Sequence, residues 1–111
     1  GQNDFNPRGF RWISCQDADA GVIAYLRTDD AEQSHYAVIG HFTGATRTYR
    51  IGVPRAGRWR EVINSNSQYY AGTGRGNEGA RTADEMACDG LPFSIEVNLA
   101  PFSTVVFHHA D

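Results

Sequence analysis

The stretch FSIEVNL, residues 93–99, gives the clearest indication of how this chain folds. Every second residue in it is apolar, namely Phe93, Ile95, Val97 and Leu99. Successive side chains of a β-strand point to opposite faces of its sheet, so this alternation predicts a strand with one buried face and one solvated face. Pro101 follows and ends the strand, because proline has no backbone N–H to donate to a neighbouring strand.

Further short apolar stretches lie upstream and downstream, separated by turn residues. They are FRWI at 10–13, GVIAYLR at 21–27, HYAVIGHF at 35–42, TYRIGV at 48–53, RWREVIN at 58–64 and FSTVVF at 102–107. Many short strands joined by polar turns are typical of an antiparallel sandwich or barrel. We predict an all-β fold, an antiparallel two-sheet β-sandwich of Greek-key type with seven to eight strands. Residues 82–87 are expected to form one helical turn at most.

The strand predicted over residues 58–64 has a mixed pattern. One of its faces carries Trp59, Glu61 and Ile63, and the other carries Arg58, Arg60 and Val62. Because both faces mix charged and apolar residues, the pattern does not decide which one is buried.

The segment from Asn64 to Arg81 is polar and rich in glycine. It contains almost no aliphatic residue, so it is too polar to form part of a core. We predict one long surface loop here, and loops of this length are usually functional or lie at interfaces.

Length and composition limit the class of protein. With 111 residues, 41% of them apolar, the chain is expected to form one domain that buries enough surface to offset its ordering entropy. The net charge of 10 − 13 = −3 and the lack of basic runs argue against a nucleic-acid partner. All ten basic residues are arginine, which we attribute to genomic composition.

Several features predict a cytoplasmic protein without a membrane segment. No apolar run approaches the ~20 residues of a membrane helix, and residues 1–9 lack the pattern of a signal peptide. Cys15 and Cys88 are too few for a disulfide scaffold, so two reduced thiols are expected, with a single bridge between them as the alternative.

A search for catalytic and metal-binding patterns predicts no catalytic residue, no metal site and no cofactor. The pairs Asp17/Asp19 and Asp29/Asp30 lie in turn clusters, where aspartate is favoured for its local hydrogen bonds. His108 and His109 are adjacent on a predicted strand, so they point to opposite faces and cannot chelate one ion together. The glycine-rich run at residues 72–77 lacks the lysine of a phosphate-binding loop.

The aromatic residues leave two interpretations open. Tryptophan and tyrosine can stack on sugar rings, or they can pack in a core or against another domain. We favour core or domain packing for Trp12 and Trp59, because both lie in predicted strands. For Tyr69 and Tyr70, in the polar loop, a domain interface and a ligand contact remain equal alternatives.

Several motifs resemble one known family in order and spacing. They are HFT at 41–43, RTYRIGV at 47–53, GRWREVINSN at 57–66, YAGTGRGN at 70–77 and LAPFSTV at 99–105. Together they are similar to the C-terminal β domain of bacterial 1,4-α-glucan (glycogen) branching enzymes, members of the α-amylase superfamily. The chain departs from the family pattern at His41, Gly44, Asn66, Ala71 and Ala100, where the family commonly has Asn, Pro, Asp, Gly and Pro.

The resemblance implies an accessory domain at residues 10–111 without catalytic groups, preceded at residues 1–9 by a linker or cloning remnant. The parent enzymes cut an α-1,4-glucan and reattach it through an α-1,6 linkage. Their catalytic carboxylates lie on a (β/α)8 barrel, which typically takes about 250 residues and cannot fit in this chain. The implied partners are that barrel and α-glucan. The implied carbohydrate-binding or domain-interface residues are Asn64, Tyr69, Tyr70, Asn77 and Trp59.

Three other hypotheses remain open. The chain could be an autonomous α-glucan-binding module, which requires exposed rings at Tyr69, Tyr70 or Trp59. It could be the equivalent domain of another α-amylase-superfamily enzyme, such as a debranching enzyme or a trehalose-forming transglycosylase. A small independent enzyme is disfavoured, because no nucleophile and base pair is visible.

Overall fold

The computed structural model describes the backbone of residues 10–13 and the whole of residues 21–29, 34–66, 77 and 79–110. These residues form eight strands: β1 (Phe10–Ile13), β2 (Val22–Asp29), β3 (Ser34–His41), β4 (Arg47–Val53), β5 (Arg58–Asn64), β6 (Ala80–Thr82), β7 (Phe93–Leu99) and β8 (Ser103–Ala110). Within them no helix is long and apolar enough to cross a membrane. The predicted linker, residues 1–9, lies outside the described residues, as do Cys15, Asp17, Asp19 and Asp30.

The strands form two antiparallel sheets. The large sheet has the order β1-β2-β3-β8-β5-β6, and the small sheet pairs β4 with β7. The chain crosses from the large sheet to the small sheet after β3 and after β6, and it returns after β4 and after β7. The predicted antiparallel two-sheet β-sandwich is confirmed.

The core lies between the two sheets and follows the predicted alternation. In β7, Ile95, Val97 and Leu99 are fully buried, and Phe93 packs against them from a half-buried position. The other buried apolar residues of the core are Val22, Ala24, Leu26, Ala37, Ile39, Ile51, Val53, Trp59, Val105 and Phe107. Removal of this apolar surface from water is the main force that holds the sheets together.

A β-bulge in β5 changes which residues face the core. Glu61 lies opposite Phe107 on β8, whereas Ile63 lies opposite Val106, so Val62 is the extra residue. The bulge turns Ile63 to the outside of the sandwich and leaves Asn64 on the inner side, opposite buried Val105. The prediction that Trp59, Glu61 and Ile63 share one face is therefore wrong for Ile63, because a bulge shifts the side-chain alternation by one residue.

The ends of the predicted loop from Asn64 to Arg81 belong to strands. Asn64 is the last residue of β5, and Arg81 is the central residue of β6. The three-residue β6 pairs with Arg58–Arg60 of β5 and is too short to produce a periodic pattern. Most of the segment between these strands, including Tyr69 and Tyr70, lies outside the described residues.

Residues 83–91 cross from β6 to the small sheet without a helical turn, which agrees with the prediction of one turn at most for residues 82–87. Asp84 and Ser94 exchange two backbone hydrogen bonds, which pull this segment into a β-bridge with β7. Farther on, Asp89 and Gly90 have φ values of 56° and 79°, as in the type I′ turns that Asp-Gly favours. The turn lies against β4, where any Cβ at Gly52 would collide with the carbonyl oxygen of Cys88.

Candidate functional site

The candidate site is built around a polar cluster that joins the two sheets, and we call Glu61, Asn64, Asn77 and Asn98 the inter-sheet polar cluster. Glu61 and Asn64 come from the inner side of β5, and Asn98 comes from β7 in the other sheet. The Glu61 carboxylate accepts hydrogen bonds through Oε2 from Asn77 Nδ2 at 2.8 Å and from Asn64 Nδ2 at 3.2 Å. The structure thus brings the predicted residues Asn64 and Asn77 together through one carboxylate.

Asn77 is the central residue of this cluster and is only 1% exposed. Its Oδ1 accepts from the backbone N–H of Asn98 at 2.7 Å, and its Nδ2 donates to the carbonyl oxygen of Asn98 at 3.1 Å. The side-chain amide therefore pairs with the β7 backbone as a neighbouring strand would. Together with the bond to Glu61, it uses both N–H donors and the carbonyl acceptor of its amide, as a buried polar group requires.

The residues after Asn64 continue the network toward the connection between β7 and β8. Asn64 Oδ1 accepts from the backbone N–H of Asn66 at 3.0 Å, and Asn66 Nδ2 donates to the carbonyl oxygen of Pro101 at 3.0 Å. Ser65 and Thr104 exchange two hydrogen bonds at 2.8 and 3.0 Å. The motif INSN thus holds the chain in place where it leaves β5.

Trp59 is fully buried, so the structure supports core packing for this residue. Its indole Nε1 donates to the carbonyl oxygen of Arg55 at 3.1 Å, and its ring lies 5.0 Å from that of His109. With no exposed ring face, Trp59 has no surface on which a sugar could stack. Tyr69 and Tyr70, the other predicted stacking residues, lie outside the described residues, as does the side chain of Trp12.

The inter-sheet polar cluster suits a structural role better than a catalytic one. Glycoside chemistry usually requires two carboxyl groups on opposite sides of the reacting bond. Glu61 is the only carboxylate among the four residues of the cluster, and its Oε2 is already occupied by two amide donors. Among the described residues, no group of three or more His, Cys, Asp or Glu side chains could hold a metal ion.

His41 shows how one departure from the family pattern is accommodated. The side chain is fully buried, with Nδ1 2.8 Å from the carbonyl oxygen of Ala100 and Nε2 2.8 Å from Thr43 Oγ1. Both ring nitrogens therefore have partners, and His41 is a structural residue. His108 and His109 point to opposite faces as predicted: His108 lies 4.8 Å from the ring of Tyr36, and His109 lies near Trp59.

Cys88 is a free thiol in the turn beside β4. Partial burial, followed by the neighbouring Asp89 carboxylate, raises the pKa of the Cys88 thiol above its ordinary value. The thiolate, which is the reactive form, is therefore disfavoured at neutral pH. The alternative of a bridge to Cys15 involves a residue outside the described part of the chain.

The sequence interpretation missed the outer face of the large sheet, the side turned away from β4 and β7. Its middle is apolar, with Tyr25, Val38, Val106 and Ile63 adjacent across β2, β3, β8 and β5. Ile63 is 55% exposed, and Phe42, whose ring lies over Gly40 of β3, is 58% exposed. The missed signal is that GVIAYL and STVVF are nearly continuous apolar runs, which are typical of strands covered on both faces.

Comparison with known proteins gives one consistent family. Residues 12–110 match the family described as "Alpha amylase, C-terminal all-beta domain". Similar curated proteins carry the name 1,4-alpha-glucan branching enzyme GlgB. The protein from Aquifex aeolicus is 38% identical over 97% of this chain, that from Roseobacter denitrificans 42% over 97%, and that from Thiobacillus denitrificans 45% over 92%.

The match covers only a small part of each relative. This chain spans 17%, 15% and 14% of the length of these three proteins, respectively. The family match, in contrast, extends over nearly all of the chain and agrees with its eight strands in two sheets. The chain therefore belongs to the alpha amylase C-terminal all-beta domain family.

Proposed function

We propose that this chain is the non-catalytic accessory domain of a 1,4-α-glucan branching enzyme that acts in glycogen biosynthesis in the cytoplasm. In this role it packs on the catalytic barrel of the same enzyme, stabilises it and contributes to holding glucan. The relatives named as branching enzymes support the parent activity. The equivalent domain of another α-amylase-superfamily enzyme is the alternative.

The observation that carries the packing proposal is the apolar outer face of the large sheet. Ile63, Val62, Ile23 and Phe42 are all exposed large apolar side chains on or beside this face. Fully burying one such side chain contributes roughly 1.5–3 kcal/mol, so a second layer on this face would stabilise both partners. The outer side of the small sheet is polar, with Thr48, Glu96 and Asn98, and offers no comparable surface.

The inter-sheet polar cluster supports a contribution to glucan binding. Asn64 and Asn66 hold the chain on one side of residues 67–76, and Asn77 holds it on the other side. Tyr69 and Tyr70 lie between these anchors in the sequence. Tyrosine rings can stack on sugar rings through their apolar faces, and this supports a contribution of these residues to glucan binding.

The packing proposal is tested in the full-length enzyme that contains this chain. Ile63→Arg places a charge on the outer face of the large sheet, and Thr48→Arg places the same charge on the polar side of the small sheet. We expect Ile63→Arg to lower the Tm of the full-length enzyme and its branching activity, while Thr48→Arg leaves both near wild type. Equal behaviour of the two variants would show that the outer face does not contact the barrel.

The glucan proposal is tested with this chain alone by affinity electrophoresis in gels with and without glycogen. Retardation by glycogen that Tyr70→Ala weakens would support a glucan-binding segment and an autonomous binding module. Unchanged mobility at high glycogen concentration would leave the domain with a structural role only.

A further inference from the structure

The outer face of the large sheet carries positive charge at one end, although the whole chain has a net charge of −3. Arg27 on β2 and Arg58 and Arg60 on β5 occupy outward positions at the end of the face away from Ile23 and Phe42. Among the outward positions of β2, β3, β5 and β8, Asp29 is the one acidic residue. Asp29 lies at the same end as the three arginines, so this end has a formal net charge of 3 − 1 = +2, which favours an anionic ligand.

A concave site lies within this positive region. Arg58, Arg60, His108 and Ala110 line an open groove with a volume of about 410 Å³. Arg60 lies directly opposite His108 in the β5–β8 register. Arg58 and Arg60 are two positions apart on one strand, about 7 Å, so both guanidinium groups can reach one small anion.

Aromatic rings continue the groove toward β3. Tyr36 lies opposite His108 in the β3–β8 register, and the two ring centroids are 4.8 Å apart with an interplanar angle of 38°. Arg27 lies opposite Tyr36 on the next strand, so arginines flank the two rings on both sides. Rings beside cationic groups form a surface that can contact the apolar face of a sugar and an attached anion together.

Arg58 and Arg60 in the groove differ from Arg50 and Arg81, which both form ion pairs. Arg50 pairs with Asp84 at 3.0 Å, and Arg81 pairs with Glu96 at 3.6 Å. In the described part of the chain, neither Arg58 nor Arg60 forms an ion pair or a side-chain hydrogen bond, and both are exposed. Their donors are available, and guanidinium groups bind phosphate oxygens bidentately.

We propose that this groove binds the phosphate monoester of a sugar, with Arg58 and Arg60 on the phosphate and the rings of Tyr36 and His108 beside the sugar. The sugar part rests on the proposed function, because the relatives are named for a glucan reaction. The anion part rests on the arginines alone. This site would lie beside the apolar face, at the edge of the domain contact proposed above.

The test uses the 111-residue chain at low ionic strength, with binding followed by NMR titration and calorimetry. The probes are glucose 6-phosphate, a phosphorylated maltooligosaccharide, unphosphorylated maltose, inorganic phosphate and adenosine monophosphate. The variant is Arg58→Gln/Arg60→Gln, and Arg55→Gln is the control, since Arg55 is an exposed arginine in the turn before β5.

We expect saturable binding of the phosphorylated sugars, with shifts at Arg58, Arg60 and His108. The double variant should weaken it at least tenfold and Arg55→Gln less than twofold. Tighter binding of the phosphorylated maltooligosaccharide supports a phosphorylated glucan as the source of the ligand, and tighter binding of glucose 6-phosphate supports a free sugar phosphate.

Three results would overturn the proposal. One is the absence of saturable binding of any phosphorylated sugar, and another is an equal effect of Arg55→Gln and the double variant. The third is that inorganic phosphate or adenosine monophosphate binds as tightly as the phosphorylated sugars. The groove would then not recognise the sugar. None of these results depends on the barrel, so failure here is distinct from failure of the packing test in the full-length enzyme.

Discussion

The two faces of β5 carry residues from one continuous motif but have different relations to the rest of the molecule. On the inner face, Trp59 is buried in the core, and Glu61 and Asn64 take part in the inter-sheet polar cluster. On the outer face, Arg60 is exposed and lines the groove, and Ile63 is exposed next to Val106 in the apolar middle of the large sheet. Within the described residues, the inner side chains of β5 contact the core and the inter-sheet polar cluster, whereas no other part of the domain covers the outer side chains Arg60 and Ile63.

This difference separates two roles that one motif can combine. Inner residues such as Trp59 and Glu61 hold the sandwich together, so their substitution should affect the isolated domain. Outer residues such as Ile63 contribute little to the isolated domain and should matter when a partner is present. Three predictions test this separation, and one further prediction concerns the turn beside the small sheet.

The largest expected effect is that of Trp59→Ala. Truncating a fully buried tryptophan leaves a cavity and removes the indole hydrogen bond to Arg55, so we expect a loss of about 3–5 kcal/mol in the free energy of unfolding. Urea denaturation of the 111-residue chain, followed by circular dichroism, measures it. A loss below about 1 kcal/mol would contradict the assignment of Trp59 to the core.

The second prediction concerns Asn77→Ala. The change leaves the backbone N–H and carbonyl oxygen of Asn98 without their partner and removes one of the two donors to Glu61 Oε2, at a cost of about 2–3 kcal/mol. Thr48→Ala is the matched control, because Thr48 also bonds to Asn98 but is exposed, and it should lose less than about 1 kcal/mol. Similar losses for the two variants in urea denaturation would argue against a central role for Asn77.

The third prediction concerns the thiol of Cys88 in the turn beside β4 of the small sheet. In a Cys15→Ser background, iodoacetamide should react with Cys88 more slowly at pH 8 than with an unburied thiol. The raised pKa of Cys88 lowers its thiolate fraction, and the rate should rise as the pH increases through that pKa. Asp89→Asn should speed the reaction, because it removes a carboxylate that disfavours the thiolate. If iodoacetamide reacts with Cys88 as fast as with an unburied thiol across the pH range, the raised pKa of Cys88 is refuted.

The smallest effect is expected for Ile63→Ser in the 111-residue chain. Because Ile63 is 55% exposed, its replacement should change the free energy of unfolding by no more than about 0.5 kcal/mol. Urea denaturation measures this as well. A loss above about 1 kcal/mol would mean that Ile63 supports the isolated sandwich, and the separation between the two faces of β5 would fail at this position.

Much of the fold could be predicted because alternation is a local property. The segment FSIEVNL indicates β7, and its residues Ile95, Val97 and Leu99 are in the core as expected. The candidate residues Asn64 and Asn77 were identified from the family resemblance, and their shared contact with Glu61 was not. That contact joins residues 13 positions apart, and Asn77 also bonds to Asn98 in the other sheet. No local sequence pattern indicates contacts between such distant positions.

The sequence by itself determined the fold class, the approximate strands and the family, because all three depend on the order of residue types along the chain. Only the tertiary structure decided that Val62 is a bulge, that Ile63 faces outward and that Arg60 lies beside His108. The physical reason is that strand register depends on packing between distant segments. One extra residue within a strand reverses the face to which every later side chain of that strand points. The sequence pattern alone does not show where that residue is placed.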